Sequence, residues 1–159
     1  MLRCFLGLGS NLAEPLLQLK QALSALNRLE HCKLGLVSPF YRNPALGPAG
    51  AQPDYINAVA ELFTSLSATT LLGEMQNIEN AQGRVRSERW AARTLDLDLL
   101  LYGDQAIATP TLEIPHPRLR ERNFVLYPLH AIAPELILPD GTSLSALLDC
   151  CSAVGLQQL

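Results

Sequence analysis

Several things are missing from this sequence, and each absence narrows the field. None of the four cysteines, Cys4, Cys32, Cys150 and Cys151, stands in a C-x-x-C spacing. The adjacent pair Cys150-Cys151 is a poor start for a structural disulfide, so the chain reads as a reduced, cytoplasmic one. No secretory signal or membrane span is visible, because the apolar run near the N-terminus is broken by Gly7, Gly9, Ser10 and Asn11. Those glycines also lack the company a nucleotide loop needs. A dinucleotide fingerprint would require a third glycine at Leu12, and a P-loop would require Lys followed by Ser or Thr. The stretch is therefore expected to form a tight turn from strand to helix. No biased tract, internal repeat or domain linker appears, and 159 residues are expected to form one domain, residues 1–159. The formal net charge of −3 argues against general nucleic-acid binding.

Positive charge is nevertheless concentrated. Seven of the ten arginines fall between Arg84 and Arg122, as an anionic small substrate would require. Four of them, Arg84, Arg86, Arg89 and Arg93, stand together with Trp90 among them. Arginine presents a planar fork of donors that matches phosphate oxygens. Directly after them comes an alternating run. Leu95, Leu97, Leu99 and Leu101 are expected on one face of a strand, with Asp96, Asp98, Leu100 and Tyr102 on the other. Residues two apart on one face have Cα atoms roughly 6.5–7 Å apart, so two short carboxylates can converge on the same ions. Unpaired, they repel each other, and a hard divalent cation such as Mg²⁺, completed by substrate phosphates, removes that repulsion.

The rest of the chain supplies a frame for this stretch. Leu2–Leu8 reads as a buried strand, and Asn11 as the cap of a helix with Pro15 in its first turn and a buried stripe of Leu16, Leu19, Leu23, Leu26 and Leu29. A second strand is expected over Lys33–Tyr41. A Pro- and Gly-rich loop follows, then a strand over Asp54–Ser65 in which Tyr55 and Asn57 share a face. Ser67 is expected to cap a second helix carrying Leu71, Leu72, Met75, Ile78 and Glu79. The order up to Tyr102 is β-α-β-β-α-β, the split arrangement of ferredoxin-like folds. Helices are then expected on one face of an antiparallel sheet, leaving the other face available. Beyond it, Ala106–Ile114 is expected to add an edge ribbon interrupted by Pro110. His116 is held between Pro115 and Pro117 and neighbours Arg118 and Arg122. Phe124–Ile132, Leu136–Leu138 and Ser143–Cys151 are expected to form a short helix, a brief strand and a last helix.

Asn43-Pro-Ala-Leu-Gly-Pro, Pro53-Asp-Tyr-Ile-Asn57, Gly83-Arg-Val-Arg86, Arg89-Trp-Ala-Ala-Arg-Thr-Leu-Asp-Leu-Asp98 and Ile114-Pro-His-Pro-Arg118 occur in that order. Together they resemble the 6-hydroxymethyl-7,8-dihydropterin pyrophosphokinases of folate biosynthesis. The resemblance spans nearly the whole chain. It implies an α+β, ferredoxin-like fold and transfer of the β,γ-diphosphate of ATP to the pterin hydroxymethyl group, with release of AMP. It further implies two Mg²⁺ ions on Asp96 and Asp98, with Arg84 and Arg93 clamping phosphates nearest the chemistry. Arg86 and Trp90 would sit on a mobile loop closing over both substrates. The pterin would lie between Tyr55 and Phe124, read by Asn57 and by Asn43, Pro44 and Leu46, with Trp90 above. Gln76, Glu79, Arg86, Trp90, Arg93, Leu99, His116 and Arg122 would line the ATP side. A monomer acting on small molecules, with neither nucleic acid nor membrane as partner, is the family expectation.

The chain departs from the family pattern in places. The stretch between Arg86 and Arg89 is one residue shorter than in some members, and Asn43 stands where threonine is common. Two other classes compete on the residues alone: a non-catalytic ligand-binding module, and an RNA-binding domain on the same frame. The first leaves the carboxylates beside four arginines unexplained. The second expects paired aromatics and a basic sheet face, where this sequence has two aspartates. No side chain stands out as a general base.

Overall fold

The computed structural model describes residues 1–45, 52–83 and 94–159. In them the chain runs β1 (Leu2–Ser10), α1 (Pro15–Asn27), β2 (Cys32–Val37), β3 (Tyr41–Asn43), β4 (Tyr55–Thr64), α2 (Ala68–Ala81), β5 (Asp96–Tyr102), β6 (Ile107–Ala108), β7 (Glu113–Ile114), α3 (Asn123–Ile132), α4 (Leu144–Asp149) and β8 (Gln157–Gln158). The main sheet has the order β5-β1-β4-β3-β8, and β2 also pairs with β4. β1 is antiparallel to both β4 and β5. With β2 and β3 taken as halves of one broken strand, this is the ferredoxin-like βαββαβ frame.

Alternation along the strands sorts side chains into two cores. Cys4, Leu6 and Leu8 of β1, Ile56, Ala60 and Leu62 of β4, and Leu97 and Leu99 of β5 meet Leu19, Ala22 and Leu26 of α1 and Leu71, Met75 and Ile78 of α2. On the opposite face, Phe5, Val59, Leu100 and Leu101 meet Val125, Leu126 and Leu129 of α3 and Leu144 of α4. The C-terminal helices therefore cover part of the face expected to be available, and Asp96, Asp98 and Asn57 lie on the same face of the sheet.

Local chemistry explains where the elements differ from expectation. Asn11 does not cap α1. Its Nδ2 donates to the Pro53 carbonyl and Gln52 Oε1, each at 3.1 Å, and so ties the end of β1 to the entry of β4. The cap position falls to Glu14, in left-handed backbone (φ 60°) with no side-chain cap bond, and Pro15 opens the helix as expected. Leu16, in the first turn, is 41% exposed rather than part of the buried stripe. Ser67 caps α2 as expected, accepting from the Thr70 amide at 3.2 Å.

The expected strand Lys33–Tyr41 is broken in two. Between the pairs Leu34↔Leu62 and Val37↔Ala60, one strand advances three residues while its partner advances two. Ser38 repairs the ladder at this irregularity: its N–H donates to the Val59 carbonyl, and its hydroxyl accepts from the Val59 N–H, both at 2.9 Å. Pro39, which has no N–H to donate, follows directly. A second irregularity lies in β5. Phe5 faces Leu101, but Leu6 faces Leu99, so Leu100 is the extra residue. The alternation flips there. Leu100 and Leu101 both join the α3 side, and Tyr102 turns to the other core, its hydroxyl donating to the Leu66 carbonyl at 2.6 Å.

Beyond β5, β6 and β7 form a separate two-stranded ribbon rather than an edge of the main sheet. The brief strand expected at Leu136–Leu138 is reduced to one bridge, Ile137↔Ser143. Ser143 caps α4 by accepting from the Ala146 amide. β8 was not anticipated, because two exposed glutamines carry no strand pattern.

One buried carboxylate anchors the far end of the sheet. Glu61, 6% exposed, accepts from Arg3 Nε at 2.6 Å and from the Leu36 N–H at 3.1 Å. Gly35 lets it reach there, since a Cβ at that position would stand 2.3 Å from Glu61 Oε1. Arg3 also lies over the Phe5 ring at 4.8 Å. Arg3→Leu leaves this carboxylate without its cation. The expected loss is about 1.5–3 kcal/mol of stability in urea unfolding, and a change near zero would mean that Glu61 is served by other donors.

Candidate active site

The site begins with register. Asp96 stands opposite Gly9, and Gly9 opposite Asn57; Asp98 stands opposite Gly7, and Gly7 opposite Val59. On the outer side, Asn57 faces Tyr41 and Tyr55 faces Asn43. The carboxylate strand and the amide strand are thus about 9–10 Å apart, two strand spacings. The central strand between them presents no side chain at either site row. This gives a furrow with carboxylates on one bank and Tyr55 and Asn57 on the other.

The glycines are expected in a turn but lie within β1, where Gly9 has no room for a Cβ and Gly7 makes space for the Leu100 side chain. A Cβ on Gly9 would fall 2.7 Å from Asn57 Oδ1 and 3.5 Å from Tyr55 Cδ1. A Cβ on Gly7 would meet the Leu100 side chain at 3.6 Å. The Asn57 amide therefore leans over Gly9, while Leu100 leans over Gly7 and closes the other end of the furrow. Asn57 Nδ2 donates to Asn43 Oδ1, and Asn43 Nδ2 donates to the Pro44 carbonyl at 3.1 Å. Asn43 and Asn57 are nearly buried, at 5% and 8%. Both carboxamides are fixed by each other, and Asn57 Oδ1 is left directed over the furrow.

The carboxylate bank is fixed from behind. Glu79, 2% exposed near the end of α2, accepts from the Leu97 N–H at 2.8 Å. Leu97 lies between Asp96 and Asp98, so this bond locks the one peptide segment that sets both carboxylates. The side chain of Leu99 is buried in the α1–α2 core, on the far face from the carboxylates. Gln76 lies exposed on α2.

His116 enters over the bulge. Its N–H donates to the carbonyl of Leu100, at 3.0 Å, and its Nδ1 accepts from the Arg118 N–H at 3.1 Å. The neutral ring therefore carries its proton on Nε2, which lies 3.8 Å from Asp98 Oδ1. Burial, then the charges of Arg122 and Arg118, lower the His116 pKa against the opposing pull of Asp96. The ring is neutral at pH 7 and offers an N–H donor beside the carboxylates. Arg122 stacks over the Phe124 ring at 5.5 Å, so these two expected site residues sit together at the start of α3.

The donor set fits magnesium. Among the described residues, no group of three or more His, Cys, Asp and Glu side chains could hold a metal. Mg²⁺ is held by one or two carboxylates and completes its shell with water and phosphate oxygen, which a pair such as Asp96 and Asp98 can supply. Asp98 is partly open to solvent, with 31% of its side chain exposed, as that mode requires. Of the residues expected in the site, Leu46, Arg84, Arg86, Trp90 and Arg93 lie outside the described residues.

The family model for 7,8-dihydro-6-hydroxymethylpterin-pyrophosphokinase (HPPK) matches residues 5–134. The chain belongs to the HPPK family. It is 50% identical over 157 residues to the 2-amino-4-hydroxy-6-hydroxymethyldihydropteridine pyrophosphokinase of Pseudomonas aeruginosa, covering 99% of this chain and 96% of that one. The enzyme of the same name from Haemophilus influenzae is 48% identical over 148 residues, covering 93% and 92%. Among solved structures, wild-type HPPK-DHPS of Plasmodium falciparum with pteroate superposes with a TM-score of 0.71 at 13% identity. That likeness covers 93% of this chain but 42% of the larger one, and it carries the fold alone.

Sequence reading missed the furrow, although G-x-G within an alternating strand was its available signal. It also missed the role of Asn11, which reads as a helix cap until its partner at Pro53 is known. The Glu79 bond gives a direct test. Glu79→Leu strands the buried Leu97 N–H; stability should drop by about 1–3 kcal/mol, and the Leu97 amide should exchange hydrogen faster than its neighbours in β1. Unchanged exchange at Leu97 would remove Glu79 from the positioning of the carboxylates.

Proposed function

We infer that this chain transfers the β,γ-diphosphate of ATP to the hydroxymethyl group of 6-hydroxymethyl-7,8-dihydropterin, releasing AMP, as a step of folate biosynthesis. The observation that carries the reading is the row Asp96, Gly9, Asn57 across three paired strands. It sets a carboxylate bank for phosphate chemistry opposite an amide and an aromatic ring suited to a flat heterocycle, and membership of the family supports the same assignment. No helix among the described residues is long and apolar enough to cross a membrane.

Asp96 and Asp98 are the residues that would hold magnesium, two ions on the family pattern. Bound there, magnesium neutralises the triphosphate and polarises the phosphorus under attack. The pterin lies between Tyr55 and Phe124, with Asn57 reading its edge and the backbone of Asn43, Pro44 and Leu46 completing the contact. Asn43 contributes through its side chain as well, by orienting the Asn57 amide. On the ATP side, His116 donates its Nε2–H to an anionic oxygen, and Arg84, Arg86, Arg93 and Arg122 match the phosphate charge. Trp90 closes against both substrates, and Gln76 lines the nucleotide pocket. Glu79 and Leu99 act through the backbone of β5, which their side chains anchor.

With its Nε2 protonated, His116 serves as donor rather than base, so the hydroxymethyl proton passes to solvent or a weak acceptor. Positioning and charge stabilisation supply most of the rate. The protein works as a monomer on small molecules, as one domain in the cytoplasm.

The deciding experiment separates nucleotide products after mixing protein, ATP, Mg²⁺ and the pterin. AMP that appears only with pterin and metal is the expected result; ADP would mean the wrong phosphorus is attacked. Asp98→Ala should abolish turnover while the folded spectrum is unchanged, and near-normal activity would sink the metal assignment. Gly9→Ala places a methyl against Asn57 Oδ1. Pterin KM should rise by about tenfold or more with ATP KM little changed, and an unaltered pterin KM would remove Asn57 from the slot.

A further inference from the structure

We propose that the C-terminal segment, residues 150–159, is a polar brace that sets the width of the pterin slot, and that Asn123 is the positioning residue that anchors it. The proposal rests on the assignment of Tyr55, Asn57 and Phe124 to the pterin. It concerns residues that touch neither substrate.

One end of the brace is fixed to the helix that carries Phe124. α3 begins with Asn123, its preceding residue Arg122 makes no side-chain cap bond, and its buried positions start only at Val125. Val125 and Leu126 seat the inner side of the first turn in the core, and Phe124 packs partly against it, while Asn123 ahead of them has no place in that core. The tail holds it. Asn123 Nδ2 donates to the carbonyls of Ser152 and Val154, both at 3.0 Å, and Tyr127 Oη donates to the Cys151 carbonyl at 2.7 Å. The Val154 N–H donates to Ser152 Oγ at 3.1 Å, which closes the turn that presents those carbonyls.

The other end is fixed to the strand that carries Asn43. Gln157 and Gln158 pair with Arg42 and Tyr41, and the Leu159 N–H donates to the Phe40 carbonyl at 2.9 Å. Between the two ends, Gly155 runs beside Pro44, where a Cβ would be in van der Waals contact with Pro44 Cδ at 3.4 Å, and its φ of 82° requires glycine's freedom. Across β3, Asn43 accepts from Asn57. A continuous path of bonds thus runs from the start of α3, through the tail and β3, to the amide on the opposite wall of the slot.

The tail has little other reason to lie there. Cys151 packs partly against the core and Leu156 is half-buried, but Val154 is 85% exposed and Leu159 46%, so apolar burial holds the tail only in part. Backbone hydrogen bonds, the Asn123 carboxamide and the Tyr127 hydroxyl supply the rest. Such a strap sets a distance while adding little to the core, and its loss should be felt by the ligand between the walls more than by the fold.

Asn123→Asp is isosteric but cannot donate to two carbonyls, and the test compares it with wild type and with a variant lacking residues 152–159. Steady-state kinetics should show pterin KM raised about fivefold or more, with kcat and ATP KM within about twofold and AMP still the product. Asn123→Gln, which keeps the donors, should recover part of the loss. Should the deletion variant fail to fold, Gly155→Val strains the same span and is expected to move pterin KM in the same direction. The brace is overturned if pterin KM is unchanged in Asn123→Asp, or if kcat and both KM values change together as in general loosening. Wild type that releases no AMP would instead overturn the functional assignment, so the two failures are told apart.

Discussion

Antiparallel pairing of three strands around two glycines is the constraint on which the site depends. A strand places its side chains without choice, one face and then the other, so β1 must present something at each row between the carboxylates and the amide. Gly7 and Gly9 present nothing, and the vacated space goes to side chains from both neighbours. Any larger residue at Gly9 would push on Asn57, and through Asn57 on Asn43 and the outer strand. The pocket is made by leaving atoms out of an interior strand of the sheet, the one between the carboxylates and the amide.

Around that furrow, electrostatics and hydrogen bonding divide the labour. The paired carboxylates on β5 are set by a buried glutamate that takes up the Leu97 N–H between them. The histidine above them is kept neutral by burial and by flanking arginines, so it adds a donor without adding charge of its own. The amide on the opposite bank is locked by a second amide. Glu79 acts on backbone, the arginines on a ring and Asn43 on another amide, so the site's geometry is decided largely by contacts among the protein's own groups.

Much of this frame was legible beforehand. Alternation in Leu95–Leu99 placed Asp96 and Asp98 on one face, and the same pattern in β4 placed Tyr55 beside Asn57. The spacing in α2 located its buried stripe and its cap. What could not be read depended on partners distant in sequence. Asn11 resembles a helix cap because its carbonyl partner lies forty-two residues away. Ser38 resembles an ordinary strand residue until its hydroxyl is found standing in for a ladder carbonyl. Gln157 and Gln158 have no apolar pattern because their strand is held by main chain alone. In the motif-rich site, the carboxylates and amides that line the furrow were visible as residue types, whereas Gly7, Gly9 and Leu100 were visible only as shape.

The extra residue at Leu100 has a meaning beyond packing. It divides β5 into two reading frames. Upstream, inward and outward are dictated by pairing with the glycine rows. Downstream, they are dictated by the fit of Leu101 against the C-terminal helices and of Tyr102 against Leu66. A bulge is a joint between these demands, so the two halves of the strand can accumulate changes under separate rules. The carboxylate half answers to the glycine rows, and the other half answers to the core. A shove on Leu101 or Tyr102 therefore meets a joint before it can turn the carboxylates to another face.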